Sequence, residues 1–549
     1  MPLSETQAGE ASSSSNPQSA RTCGRAFDFS SRNLALVVLA AGFAVRLVLA
    51  WRYFLDPDEA LHYLLASHET LRTTYAAALT QAHPPLLILL LHFWRVLGHS
   101  ELMLRMPSIL AGTGCCWLTY LWLRRITDRS TSFIGLLLVT FAPALIETSI
   151  EVRQYAPLLF FISAGLYFSE RALQENSVLC MNLFSLSLFG ALLVHYSGLL
   201  YAVSMGVYML VRLYPYGKNL RLFAAWGAGQ VLGIAISSYF LLTHIPAVRQ
   251  SGIVRSDFAT HLHKSILGSS GHGVLTFIPL QTLRVFTYLF SHGLLGTLAL
   301  VTFAAGLYLL LRGKSRNEKR GPADLELALL LGLPFVLNCA AAIAGEYPYG
   351  GTRHTAVLAI FALTGVSFGI AALKIGRAWM APAVVLLALA VCNIFPSPPP
   401  LIRARDHERS HVQSAVQYLR QSAQPGSVIL ADYESGLLLG YYFCGHGVVQ
   451  DLPPYQPFSK VACGPYSVVA PFPGEWKFYG RDFEQRAKAA AQAQGLAPGS
   501  KVWLFYGGWI VDSTPDMRNS LRRMGCADPQ LFGQNFLLCE VSLSGDGGQ

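Results

Sequence analysis

"HPPLLILLLHFW", His83 to Trp94, is the stretch on which the reading of this chain turns. It is apolar enough to enter a bilayer but short: the apolar run between Pro84 and Arg95 is only about ten residues, where a spanning helix needs about twenty. That length suits an interfacial or re-entrant helix. Its status also fixes the side of everything after it. With the segment left out of the count, Arg124, Arg125 and Arg129 fall on one side of the membrane. So do Arg212, Lys218 and Arg221, the group Arg312, Lys314, Arg316, Lys319 and Arg320, and finally Lys374 and Arg377. The positive-inside rule makes that side cytoplasmic, predicts a juxtamembrane helix for 83–94 and puts the N-terminus inside.

Long apolar runs recur outward from this point. Spans are predicted near 33–55, 104–123, 131–148, 155–173, 178–194, 197–213, 222–243, 285–311, 325–344, 355–373 and 378–395, about eleven in all. Of the 549 residues 52% are hydrophobic and only 13% charged, against about 25% charged in a soluble domain. The class is a polytopic α-helical membrane protein. A net charge of +10 invites a nucleic-acid partner, but the basic residues sit in short clusters between apolar runs, and that partner is set aside.

Residues 1–28 are rich in Ser, Ala and Gln with no apolar core, so they read as a disordered cytoplasmic tail rather than a cleavable signal. The transmembrane part runs over 29–395, with a long first outer loop at 54–103. From Pro396 the character changes: "PSPPPL" is a stiff linker. After it, strand-like "SVILAD", "KVWLFYG" and "NFLLCEV" alternate with amphipathic stretches at 408–422 and 515–524. A small extracytoplasmic α/β domain over 396–549 is expected. Ten cysteines include no CxxC; Cys444, Cys463, Cys526 and Cys539 lie in this part and could pair, with the connectivity open.

The residues capable of chemistry gather on the outer face. Asp56, Asp58 and Glu59 follow the first span directly. At the start of a surface helix the dipole favours ionised carboxylates, so Asp58 and Glu59 read either as a general base and its neighbour or as a helix cap after Pro57. Asp56 with Asp58 forms a DxD too short to imply a metal. His83, held at the interface by two prolines, could bond a lipid phosphate or simply be solvated. Glu151 and Arg153 form a charged pair in a short loop; an arginine there is a phosphate clamp or a snorkelling anchor. Arg105 and the pair Arg353-His354 are open to the same two readings. His244, His261, His263 and His272 match no zinc spacing and are taken as loop residues lining a groove. With no ionisable residue expected at mid-span, this pattern favours a site for an anionic lipid head group.

In this order, "DPDEALHYLLA", "HPPLLILLLHFW", "ELMLRMPSILAG" and "IEVRQYAPLLFF" resemble the GT-C superfamily of integral-membrane glycosyltransferases. The closer likeness is to dolichyl-phosphate-mannose protein mannosyltransferases and their bacterial relatives, including the lipid A aminoarabinose transferase. It covers roughly 33–215, with "YPYGGTRHTAVLAIF" near the end of the membrane part. The resemblance implies transfer of a sugar from a polyprenyl-phosphate donor to a protein, lipid or glycan acceptor outside the membrane, with inversion. It makes Asp58 the general base with Glu59 beside it. His83, Arg105, Arg153, Arg353 and His354 are placed around the donor phosphate. Asp56 and Glu151 become contacts for the acceptor or for a metal. No cofactor is certain, though some members of the superfamily use a divalent ion. Some relatives carry lysine at the His83 position.

Two other classes fit the architecture. A polyprenyl-lipid flippase or transporter would line a path with charge, but neither mid-span ionisable residues nor internal repeats are evident. A polysaccharide ligase or polymerase would carry its key residues in a late outer loop, whereas the carboxylates here are in the first. The expected home is the bacterial inner membrane, with the site and the C-terminal domain outside.

Overall fold

The computed structural model describes residues 18–214, 219–250, 262–313, 321–373, 379–394, 407–452, 456–471, 483–497, 499–508, 515–526 and 528–543. Part of the expected tail, the Pro-rich linker, His261 and several of the basic clusters lie outside these residues. From Gln18, within the stretch expected to be a disordered tail, the chain is already helical.

The membrane part is built from helices. In chain order the first ten are α1 (Gln18–Arg52), α2 (Pro57–Ala66), α3 (Leu71–Ala78), α4 (Leu86–Trp94), α5 (Glu101–Ile126), α6 (Arg129–Phe141), α7 (Pro143–Ser149), α8 (Tyr155–Glu175), α9 (Val178–Val194) and α10 (Gly198–Leu213). Among the described residues five helices are long and apolar enough to cross a membrane: Arg32–Arg52, Leu220–Gln250, Gly293–Leu311, Asp324–Ile343 and Arg353–Ala372. The pair α6 and α7, bent by 55° where Pro143 removes an N–H, makes a sixth if it counts as one span. The chain is an integral membrane protein.

The remaining expected spans are helices of a different kind. α9, α10, Val274–Phe290 and Met380–Ile394 are apolar but of 17, 16, 17 and 15 residues. α5 and α8 have 26 and 21 residues but are less apolar, because they pack on each other rather than on lipid. The expected span at 285–311 is broken. One helix ends at Phe290, Ser291 adopts a left-handed φ of 48°, and a second begins at Gly293. α4 is a nine-residue helix followed by a single 3-10 turn at Arg95–Leu97.

Small residues let these helices approach closely. A Cβ at Gly369 would lie 2.1 Å from the Thr302 carbonyl oxygen, so helices Gly293–Leu311 and Ala359–Ala372 meet backbone to backbone. Polar side chains are sequestered inside the bundle. Arg46, within the first span, overturns the expectation of no mid-span charge. It is 1% exposed, with Nη1 donating to the Gly42 and Thr140 carbonyls at 3.0 and 3.1 Å, so it ties α1 to α6. Arg212 of α10 pairs with Glu170 of α8 at 3.1 Å and with Glu326 at 3.2 Å. An intramembrane charge facing neighbouring helices instead of lipid is the usual resolution of its desolvation.

The C-terminal part folds around six strands: β1 (Val428–Ala431), β2 (Phe458–Cys463), β3 (Tyr466–Pro471), β4 (Lys501–Gly507), β5 (Gln530–Phe532) and β6 (Phe536–Ser542). Their order is β2-β3-β1-β4-β6-β5, with β3, β1 and β4 parallel and the outer pairs antiparallel. Helix Arg409–Ser422 packs on one face through Val412, Ala415 and Leu419. Pro515–Arg523 packs on the other through Met517 and Leu521. Cys444 is bonded to Cys463 and Cys526 to Cys539.

This sheet does not stand apart from the bundle. Phe54 and Ala60 lie in one apolar core with Ile429, Leu438, Phe505 and Phe536. The Phe54 N–H donates to the His407 carbonyl at 2.9 Å and the Leu55 N–H to the Tyr442 hydroxyl at 2.7 Å. His68 pairs with Asp451 at 2.7 Å, and Arg409 with Glu101 at 2.5 Å. The first loop is gripped from both sides.

Candidate active site

The site begins with the cap of α2. Asp56 Oδ1 accepts from the Glu59 N–H at 2.8 Å, and Glu59 Oε2 accepts from the Asp56 N–H at 3.0 Å. With Pro57 in the first turn this is a complete capping box. Asp58 lies between the two capping residues and is left to face outward.

Glu59 is 1% exposed and both its oxygens are occupied. Arg105 Nε and the Val152 N–H donate to Oε1, each at 2.8 Å, and Arg105 Nη2 donates to Oε2 at 2.5 Å. Arg105 spends its other donors on carbonyls: Ala50 and Tyr53 at 2.7 Å and Phe54 at 2.8 Å. All five of its N–H groups are used, so no donor is left for a phosphate. The pair is a brace that locks the end of α1, the start of α2 and the loop before α8.

Asp58 has a different environment. Arg153 Nη1 and Arg353 Nη2 both reach its Oδ2 at 2.8 Å. Arg153 comes from the loop before α8 and Arg353 from the 3-10 turn Arg353–Leu358, so residues about 100 and about 300 positions further along the chain converge on one oxygen. Burial disfavours the Asp58 carboxylate, but the two guanidinium groups outweigh it and hold the acid well below the usual carboxylate range. Arg353 Nη1 lies 3.9 Å from Glu151 Oε2. The neighbouring acids move the other way. Burial, then the charges of Glu59 and Asp58, push Asp56 up to about 6. Burial, then the charge of Asp56, push Glu151 up to about 8.

Histidines line the same region. His62 Nδ1 donates to the Asp58 carbonyl at 2.5 Å, and burial and Arg153 push it down to about 4. His83 stacks on His195 with ring centroids 5.0 Å apart. Burial and the neighbouring His195 hold His83 well below the usual imidazole range. His354 meets Tyr155 edge to face, and its carbonyl accepts from the Tyr347 hydroxyl at 2.9 Å. The structure thus brings Asp56, Asp58, Glu151, Arg153, Arg353, His83 and His354 together, with Glu59 and Arg105 behind them. His244 is elsewhere, between the Tyr196 hydroxyl and the Leu79 carbonyl.

Sequence reasoning did not single out His62 or His195. The Ser197 N–H donates to His195 Nδ1 at 3.1 Å, which fixes the neutral tautomer with hydrogen on Nε2. His195 Nε2 has no partner among the described residues, and neither do Arg153 Nε, both amide atoms of Gln154 and the Tyr155 hydroxyl, all of them buried. Unpaired buried groups cost about 1–3 kcal/mol each, so a cluster of such donors and acceptors in one region is suited to a polar ligand. The one signal for His195 was a lone polar residue between two apolar runs. Among the described residues no group of three or more His, Cys, Asp and Glu is arranged to hold a metal ion, and Asp56 is already committed to its cap.

The fold is that of the GT-C membrane glycosyltransferases. The structure of ArnT from Cupriavidus metallidurans bound to undecaprenyl phosphate superposes with a TM-score of 0.50 at 13% identity, covering 94% of this chain and 99% of that one. The oligosaccharyltransferase AglB from Archaeoglobus fulgidus, in complex with an inhibitory peptide and a dolichol-phosphate, gives 0.47 at 11% identity over 86% of this chain and 69% of that one. Within this fold residues 82–242 match the family model for dolichyl-phosphate-mannose-protein mannosyltransferase. No curated protein matches by sequence.

Proposed function

We propose that the protein transfers a sugar from a polyprenyl-phosphate donor to an acceptor arriving from the outer aqueous side of a bacterial inner membrane. The observation that carries this reading is the convergence of Arg153 and Arg353 on Asp58 at the mouth of the first span. Two cations about one carboxylate leave one positive charge in excess, which matches the single charge of a phosphodiester-linked sugar. The lipid chain stays in the bilayer while its phosphate rises to the two arginines, with His83, His195 and His354 around it. Asp58 then accepts the proton of the acceptor's O–H or N–H as that atom bonds to the anomeric carbon. The C–O bond to phosphate breaks and its electron pair goes to the phosphate oxygen, where the guanidinium groups stabilise it. Attack from the side opposite the phosphate inverts the anomeric centre. The match to the mannosyltransferase family model and the fold shared with a structure bound to undecaprenyl phosphate support the donor class.

The test follows labelled sugar from polyprenyl-phosphate donors into an envelope extract, for wild type and Asp58→Asn. Asn keeps the size and cannot take a proton. Transfer is expected to fall about a hundredfold or more, as general bases contribute 10²–10⁴. Near-full activity in the variant removes Asp58 from the chemistry. Donor lipid crossing the bilayer without any sugar transfer replaces the transferase with a flippase.

A further inference from the structure

We propose that Arg153 and Arg353 mask Asp58 as a base until the donor's phosphate draws them away, so that the protein becomes able to deprotonate an acceptor only once its donor is bound. The inference rests on the donor reading above and goes beyond it. The starting point is a conflict of roles. A general base works best when its proton affinity is matched to the surrounding pH. Asp58, with two guanidinium groups on a single oxygen at 2.8 Å, is a weak proton acceptor in the state described. Yet no other carboxylate sits at the start of α2 facing outward, since Glu59 is saturated and Asp56 is engaged in the cap.

The same two arginines resolve the conflict. A phosphate offers several oxygens in the geometry of a guanidinium fork, so it competes for Arg153 and Arg353 on better terms than one carboxylate oxygen does. Arg153 keeps a buried Nε without a partner among the described residues, so it has a donor available for an incoming anion. The Arg353 side chain is 27% exposed and already reaches between Asp58 and Glu151, which leaves it room to turn. Once both cations face a phosphate, the charged and titratable groups facing Asp58 are Asp56 and His62 from its own segment, Glu151 from the loop before α8, and His354 beside Arg353. The Asp56 carboxylate in that set raises the proton affinity of Asp58, and neither Glu151, itself protonated below about 8, nor the histidines, low in affinity themselves, oppose it. The cycle closes without an added reagent. Asp58 holds the acceptor's proton, the lipid phosphate leaves, and the returning arginines drive that proton to water.

The experiment uses the full-length protein in detergent and a probe that cannot react: the methyl ester of undecaprenyl phosphate, a phosphodiester whose single charge does not change over the pH range used. Calorimetric titration in buffers of differing ionisation enthalpy counts the protons taken up on binding between about pH 4.5 and 7. Wild type is expected to take up a proton, approaching about one per lipid at the acid end, while Asp58→Asn binds the probe with no uptake. Equal uptake in both proteins, or binding by wild type without uptake, overturns the masking. No binding by wild type overturns the donor reading and this inference together, so the two failures are distinct. Should Asp58→Asn not fold, wild-type kinetics decide. The acid limb of kcat, which reports the donor-bound enzyme, is expected at least about one pH unit above any acid limb of kcat/KM for the donor. Coincident limbs overturn the masking.

Discussion

At the scale of single residues, the site separates side chains that brace the fold from side chains left open toward the outside. Arg105 and Glu59 are a buried, fully bonded pair. Removing one partner leaves the other's charge stranded, so Arg105→Met is expected to destabilise the protein by about 3–5 kcal/mol, and Arg105→Met with Glu59→Leu to recover much of that. Thermal unfolding in detergent reads both. Glu151 gives a pH test. Its proton affinity is raised in the folded protein to about 8 from an ordinary 4.5, so the folded state binds a proton that the unfolded state releases. Wild-type stability is therefore lost as pH rises through that window. Glu151→Gln is expected to melt like wild type below about pH 4.5 and increasingly above it toward pH 8 and beyond. Residue types and order were legible in the sequence: carboxylates after the first span, Arg153 and Arg353 in outer loops. What could not be read was division of labour between neighbours. Asp58 and Glu59 are adjacent, and only the turn of a capped helix sends one into a brace and the other outward. Arg46 was overlooked because a cation inside an apolar run gives no sign of the carbonyls that receive it.

At the scale of elements, hydropathy located the apolar helices well and their ends and breaks poorly. The bend at Pro143 and the left-handed Ser291 depend on local backbone geometry that an averaged apolar signal smooths over. In the C-terminal part the three strongest apolar runs became β1, β4 and β6, whereas β2 is a half-polar edge strand and β3, between β2 and β1, opens on the half-buried Tyr466 and Ser467 and gives a weaker pattern. The element with the clearest consequence is helix Tyr433–Leu439 with the wound turn that follows it. Tyr442, in that turn, accepts from the Leu55 N–H and donates to Glu101. Tyr442→Phe strips both bonds from the entry to α2. A loss of about 1–3 kcal/mol is expected. Transfer should slow several-fold through kcat with little change in donor KM, because the arginines are untouched; steady-state kinetics with varied donor separates the two.

At the scale of the molecule, the two disulfides stand in different relations to the first loop that carries Asp58. Cys444–Cys463 ties the turn carrying Tyr441 and Tyr442 to β2, while Cys526–Cys539 joins the end of helix Pro515–Arg523 to β6 on the far side of the sheet. Sequence separations of 19 and 13 correspond to about 3 kcal/mol for each crosslink. Replacing either pair by serine is expected to lower the melting temperature to a similar degree. Only the Cys444–Cys463 replacement is expected to depress transfer as well, when both variants are assayed well below their melting points. The joint grip on the first loop also bears on exchanging parts between proteins. Phe54, Ala60 and His68 belong by chain position to the bundle and by packing to the sheet. A chimera that grafts another outer domain at the linker would bring in a partner surface shaped for a different loop. The functional cut therefore lies around residues 53–68 and not where the chain leaves the membrane, and a swap that carries this loop with its own sheet has the better prospect of keeping Asp58 in place.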